Sequence, residues 1–92
     1  MILPVTSRSV ICREVPEGAI LFCTASEIYF SLNQVGVRIW RLMPPACANL
    51  DELVDRLRRE FPEATVDDIR RDAIHLLDEL ASNGLVESAP PV

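Results

Sequence analysis

Two short connectors, Pro16-Glu17-Gly18 and Ala25-Ser26, constrain this chain more than any other feature. They separate three runs with strand composition. A parallel crossover needs a dozen or more residues, so the three runs must form an antiparallel meander. Val10 to Val15 is a β-branched run, stopped by a turn in which Gly18 can take positive φ. Ala19 to Thr24 is apolar enough for a central strand. Glu27 to Leu32 alternates, with Ile28, Phe30 and Leu32 on one face and Glu27, Tyr29 and Ser31 on the other.

At Asn33 the period becomes helical. Asn33 can cap a first helix, with Leu32 and Val37 as a hydrophobic staple. Val37, Trp40 and either Ile39 or Leu42 supply its buried stripe, and Pro44-Pro45 ends it. Asn49-Leu50-Asp51-Glu52 is a capping-box pattern for a second helix. Its apolar positions are Leu50, Leu53, Val54, Leu57 and Phe61, and Pro62 closes it. Thr65-Val66-Asp67-Asp68 opens a third, its carboxylates at the positive end of the helix dipole. Val66, Ile69, Ala73, Leu76 or Leu77, and Leu80 run down one side of it. Asn83-Gly84 stops it, and Leu85-Val86-Glu87 reads as a brief extended tail. Trp40, Leu53, Leu57 and Leu80 are expected in the core, and Ala89-Pro90-Pro91-Val92 is expected to fray. The expected fold class is α+β and winged-helix-like: an N-terminal three-stranded antiparallel sheet followed by three helices.

Ninety-two residues suffice for a single domain, residues 1–92, with its core at about 9–87. The apolar N-terminus is too short for a signal peptide, and no run is long enough to span a membrane. Cys12, Cys23 and Cys47 suit neither a zinc site nor a disulfide framework. Only Cys12 and Cys23, if they face each other across a hairpin, could bridge. Reduced packing cysteines in a cytoplasmic protein are the expectation.

Catalytic signals are missing. His75 stands mid-helix with no Cys or Asp at ligand spacing, which reads as a structural histidine. Three scattered glycines make no phosphate loop, and Asp51-Glu52 and Asp67-Asp68 are explained as helix caps. No enzyme activity, cofactor or metal is implied. A winged-helix DNA-binding protein would use its third helix as reader. That helix carries Asp67, Asp68, Asp72, Asp78 and Glu79 against Arg70 and Arg71, and the chain's net charge is −5. Phosphate would repel it, so no nucleic-acid partner is expected.

Phe30-Ser31-Leu32-Asn33-Gln34-Val35-Gly36-Val37-Arg38-Ile39-Trp40 carries a resemblance, together with Pro16-Glu17-Gly18, Asp72 and the closing Leu80, Asn83-Gly84-Leu85-Val86. This ordered set, roughly Val10 to Val86, resembles the PqqD-like family of recognition elements for ribosomally made peptide precursors. The resemblance implies binding of a precursor's leader segment and its delivery to a maturation enzyme. Within the family, the Tyr29-Phe30-Ser31-Leu32-Asn33 segment most resembles the stand-alone lasso-peptide B1 proteins. These imply a separate cysteine-protease partner and a leader with Tyr, Pro and Leu anchors. The pyrroloquinoline quinone pathway member, whose partner would be a radical SAM enzyme, is the near alternative.

The mechanism implied is strand addition, because the last strand of a meander can leave backbone N–H and C=O groups unpaired on its outer side. The leader would lie between that strand and the third helix. Candidate contacts are Glu27, Ile28, Tyr29, Phe30 and Ser31 on the strand, and Asp68, Ile69, Asp72, Ala73 and Leu76 on the helix. Phe30, Ile69, Ala73 and Leu76 read equally well as core. Tyr29, exposed by alternation, suits a binding edge better. Two other outcomes stay open: dimerisation through the same edge, and a structural subunit whose edge is covered by residues Met1 to Ser9.

Overall fold

The computed structural model describes residues 1–88. Its elements are β1 (Val5–Thr6), β2 (Val10–Val15), β3 (Gly18–Cys23), β4 (Ile28–Asn33), α1 (Gln34–Arg41), α2 (Leu50–Glu60), α3 (Val66–Ser82) and β5 (Val86–Glu87). Strands β2, β3 and β4 form the expected antiparallel meander with β3 central. An α+β fold with the sheet ahead of three helices is therefore observed.

Local chemistry explains each boundary. Gly18 is required by space: a Cβ there would stand 1.9 Å from the Leu32 carbonyl oxygen. The second connector is longer than expected, running from Thr24 to Glu27. Glu27 N–H donates to the Cys23 carbonyl (2.8 Å), and Glu27 takes φ 59°, so it belongs to the turn and not to β4. Asn33 caps α1, its Oδ1 accepting from Gly36 N–H at 2.8 Å. Asn49 and Thr65 cap α2 and α3 in the same way. The return bond from Glu52 goes to Ala48 N–H, one residue before the position a capping box would use. At the end of α3, Gly84 (φ 72°) sits between two bonds, Gly84 N–H to Ala81 and Leu85 N–H to Leu80, the Schellman arrangement.

The core lies between the inner sheet face (Ala19, Leu21, Cys23, Leu32) and the helices, which contribute Val37, Ile39, Leu53, Leu57, Ala73, Leu77 and Leu80 among others. On the helices one open alternative is resolved and two assignments change. Leu77 rather than Leu76 faces the core, and Leu76 flanks it half-buried. Val66 is 37% exposed because it starts the helix ahead of the packed turns. Trp40 is only half-buried, since its ring borders an open cavity beside β2. The cysteines are free: Cys23 and Cys47 pack in the core, but Cys12 is exposed. Cys12 stands opposite Leu21 and Cys23 opposite Val10, so they are not cross-strand partners.

The largest departure is at the N-terminus. Met1 to Ser7 is tied to the start of α2 and to β5. Ile2 bridges to Asn49, Leu3 N–H donates to Ala48 and β1 pairs antiparallel with β5. Leu3 is 0% exposed, so the core begins before residue 9. The sequence offered no periodicity there, because an isolated Leu between a Pro and an exposed Ile carries no face signal. The Ala89 to Val92 tail lies outside the described residues.

Replacing Leu3 with Ala should cost about 2–5 kcal/mol in urea unfolding, as for any fully buried leucine. Removing only Met1 and Ile2, both exposed, should cost much less. A second expectation concerns acid. Arg38 donates through Nε and Nη2 to Glu60 (2.5 and 3.0 Å), joining α1 to the end of α2. These bonds hold the Glu60 carboxyl below its ordinary range. A lowered pKa contributes stability above the ordinary carboxylate value and loses it as pH falls through the lowered one. The pair is partly exposed, so the contribution is at most about 1 kcal/mol. Glu60→Gln should flatten this part of the stability profile below about pH 5, where carboxylates begin to protonate. An unaltered acid limb would assign it to other carboxylates.

Candidate functional site

Backbone parity decides which edge of the sheet is available. Thr24 N–H donates to the Ser9 carbonyl (2.8 Å), extending the β2–β3 ladder by one directly bonded pair. Bonded pairs recur at every second residue of an antiparallel ladder. Gly18, Ile20 and Phe22 therefore bond toward β2, leaving Ala19, Leu21 and Cys23 to bond toward β4. Their partners Leu32, Phe30 and Ile28 turn their backbone groups inward. Tyr29 and Ser31 consequently aim N–H and C=O away from the sheet. Among the described residues no strand pairs with that side of β4, and the N-terminal segment is docked elsewhere.

Beside this edge is a groove of about 410 Å3 between β4, the start of α1 and the middle of α3. Phe30, Ser31, Leu32 and Asn33 line it from the strand, Val35, Gly36 and Ile39 from α1, and Asp72, His75, Leu76 and Glu79 from α3. Gly36 keeps the corner between β4 and α1 low. A Cβ there would meet Leu32 and the capping oxygen of Asn33 at 3.2–3.3 Å.

The expected residues divide accordingly. Phe30, Ser31, Asp72 and Leu76 converge on the groove. Ile28 is half-buried against the core, and Ile69 (8% exposed) and Ala73 (0%) are core residues behind the groove wall. Glu27 sits in the turn before the edge. Asp68 faces Arg71 at 2.7 Å, with its N–H capped by Thr65. Tyr29 is 73% exposed, yet its side chain is on the outer sheet face. There its ring centroid lies 4.7 Å from that of Phe22. Only its backbone belongs to the edge facing the groove.

His75 and Glu79 were not expected at the site. Their spacing from Asp72, i+3 and i+7, places all three on one face of α3 and was the signal available in the sequence. His75 Nε2 meets Glu79 Oε1 at 2.7 Å, and both remain open to solvent.

A larger cavity, about 610 Å3, lies beside β2 among Thr6, Cys12, Glu14, Trp40, Arg41 and Pro44-Pro45. The edge there is partly engaged: Val10 N–H donates to Ser7, and Glu14 is ion-paired with Arg41. The β4 edge has no comparable engagement among the described residues.

No curated protein sequence matches this chain. Among solved structures it is similar to TbiB1 in complex with the TbiA(beta) leader peptide. Identity is 26% over 95% of this chain and 99% of that one, with a TM-score of 0.81. It also has the fold of a lasso peptide synthetase B1 complexed with the leader peptide. There identity is 22%, coverage 92% and 95%, and the TM-score 0.72. The family model of coenzyme PQQ synthesis protein D (PqqD) matches residues 18–86, which take in β3, β4 and all three helices. This chain belongs to the PqqD family.

Proposed function

We propose that the chain is a non-catalytic recognition module that binds the leader of a ribosomally made precursor peptide as an extra strand on β4. It then presents the precursor to a maturation enzyme, a separate leader protease in the lasso-peptide manner. The observation carrying this reading is the outer edge of β4, unpaired among the described residues, beside a groove. The likeness to two B1 proteins solved in complex with leader peptides supports it. The second reading, delivery to a radical SAM enzyme, draws on the PQQ-synthesis description of the family.

Magnitudes assign the parts. Tyr29 and Ser31 offer about four backbone groups, worth roughly 2–6 kcal/mol net at 0.5–1.5 each. A micromolar complex needs about 8 kcal/mol and must also offset the ordering of a flexible peptide. Side chains must supply the remainder. An added strand sends alternate side chains to opposite faces. One set enters the groove against Phe30 and Leu76, where burying each apolar group contributes about 1.5–3 kcal/mol. The other set lies on the outer face beside Tyr29, which is how that residue contributes without lining the groove. Glu27 and Asp68 act at the rim, mainly on encounter rate. Ile28, Ile69 and Ala73 shape the site from behind.

The test is fluorescence polarisation with a labelled leader of the cognate precursor peptide. Ser31→Pro removes an outward N–H and no β3–β4 bond. It should weaken binding at least tenfold and shift the thermal midpoint by no more than a few degrees. Unchanged affinity in a folded Ser31→Pro protein would rule out pairing at this edge. Tyr29→Ala should weaken the leader about three- to tenfold with little loss of stability; an equal loss of both would make Tyr29 a packing residue. Addition of the chain should also accelerate cleavage of the full precursor by the protease partner. An unaffected rate would leave binding intact and remove the delivery step.

A further inference from the structure

We infer that the β4 groove selects an extended segment bearing a lysine or arginine two residues from an apolar side chain, with Asp72 and Glu79 reading the cation. This rests on the strand-addition reading above and adds the chemistry of the segment.

Three features converge. The first is the shape of the groove. Its α3 wall runs from Asp72 to Glu79, about 10 Å of helix axis, with half-buried Leu76 between the two carboxylates. Phe30 and Ile39 face it from the opposite side. Side chains on one face of a strand recur every 6–7 Å. If one apolar side chain seats between Phe30 and Leu76, those two positions before and after it reach toward the carboxylates at the ends of the groove.

The second feature is charge. The lining includes Asp72, His75 and Glu79 and no arginine. The chain has no lysine at all, and five of its nine arginines (38, 41, 59, 70 and 71) are ion-paired outside the groove. A cation arriving here meets no fixed positive competitor except His75 when protonated.

The third is the state of the two acids. Neighbouring Asp68 is matched by Arg71, whereas Asp72 has no ion-pair partner among the described residues. Glu79 faces only His75, which can rotate away because its side chain is 77% exposed. An acidic segment would be repelled at both ends of the groove. Exposed pairs contribute little each, so the preference is a matter of specificity and encounter, about three- to tenfold for both carboxylates together.

The experiment selects surface-displayed random 12-residue segments on the full chain, on Asp72→Asn/Glu79→Gln, and on Ser31→Pro, each first shown to melt cooperatively within a few degrees of the wild type. Wild-type selection should enrich an apolar residue with Lys or Arg two positions away. The double variant should keep the apolar preference and lose the basic one, and individual binders should fall three- to tenfold on it, with a shallower salt dependence. Apolar enrichment with no basic preference on the wild type would overturn the inference and leave strand addition standing. Enrichment that is identical on Ser31→Pro would remove strand addition, and this inference with it.

Discussion

A strand has two faces and two edges, and among the described residues only β3 has both of its edges paired. Its inner face supplies Ala19, Leu21 and Cys23 to the core, all nearly inaccessible, and its backbone bonds to β2 on one side and β4 on the other. The rest of the arrangement depends on this saturation. Because β3 consumes the inward groups of Ile28, Phe30 and Leu32, β4 has no freedom in which residues it turns outward. Slipping the register by one residue would exchange the faces of the whole strand. Leu32 would leave the core and Ser31 would enter it. Gly18 helps to prevent such slippage, since the Leu32 carbonyl occupies the place of its missing side chain.

An open edge is a hazard as well as an opportunity, because any exposed row of N–H and C=O groups can pair with another copy. The two edges of this sheet are treated differently. Along β2 the hazard is reduced locally, by the Ser7 contact to Val10 and by the Glu14–Arg41 pair. Along β4 nothing equivalent is present among the described residues, and the neighbouring helix wall carries net negative charge. Acidic walls on two copies would repel each other, which disfavours self-pairing at β4 while leaving the edge open to a segment of other charge.

Much of this was legible in the sequence where short-range geometry decides. Connector length forced the meander, alternation sorted Phe30 from Tyr29, and caps at Asn33, Asn49 and Thr65 fixed the helix starts. The misses, and the one choice left open, have a common cause. Leu3, the Leu76/Leu77 choice and half-buried Trp40 depend on what a residue meets across space, which periodicity cannot report. The groove was similarly half-visible. Alternation and helical spacing point to the strand and the third helix as its walls, but the contribution of Val35, Gly36 and Ile39 follows from α1 turning immediately off the end of β4. Ile69 and Ala73 were ambiguous because a helix facing a groove must also face the core, and only the angular position of each residue separates the two.

That dual duty of α3 has a consequence for how a ligand acts on the fold. Ile69, Ala73, Leu77 and Leu80 bind the helix to the core, while Asp72, Leu76 and Glu79, on the adjoining arc, border the groove. A segment seated there would contact β4 and α3 at once, tying together two elements that otherwise meet through few side chains. For a domain this small, whose core is correspondingly modest, such a ligand adds to folding free energy by mass action. Recognition and stability are then linked through the same helix. Substitutions on the groove arc should be separable from those on the core arc one residue away, because the helix turns about 100° between them.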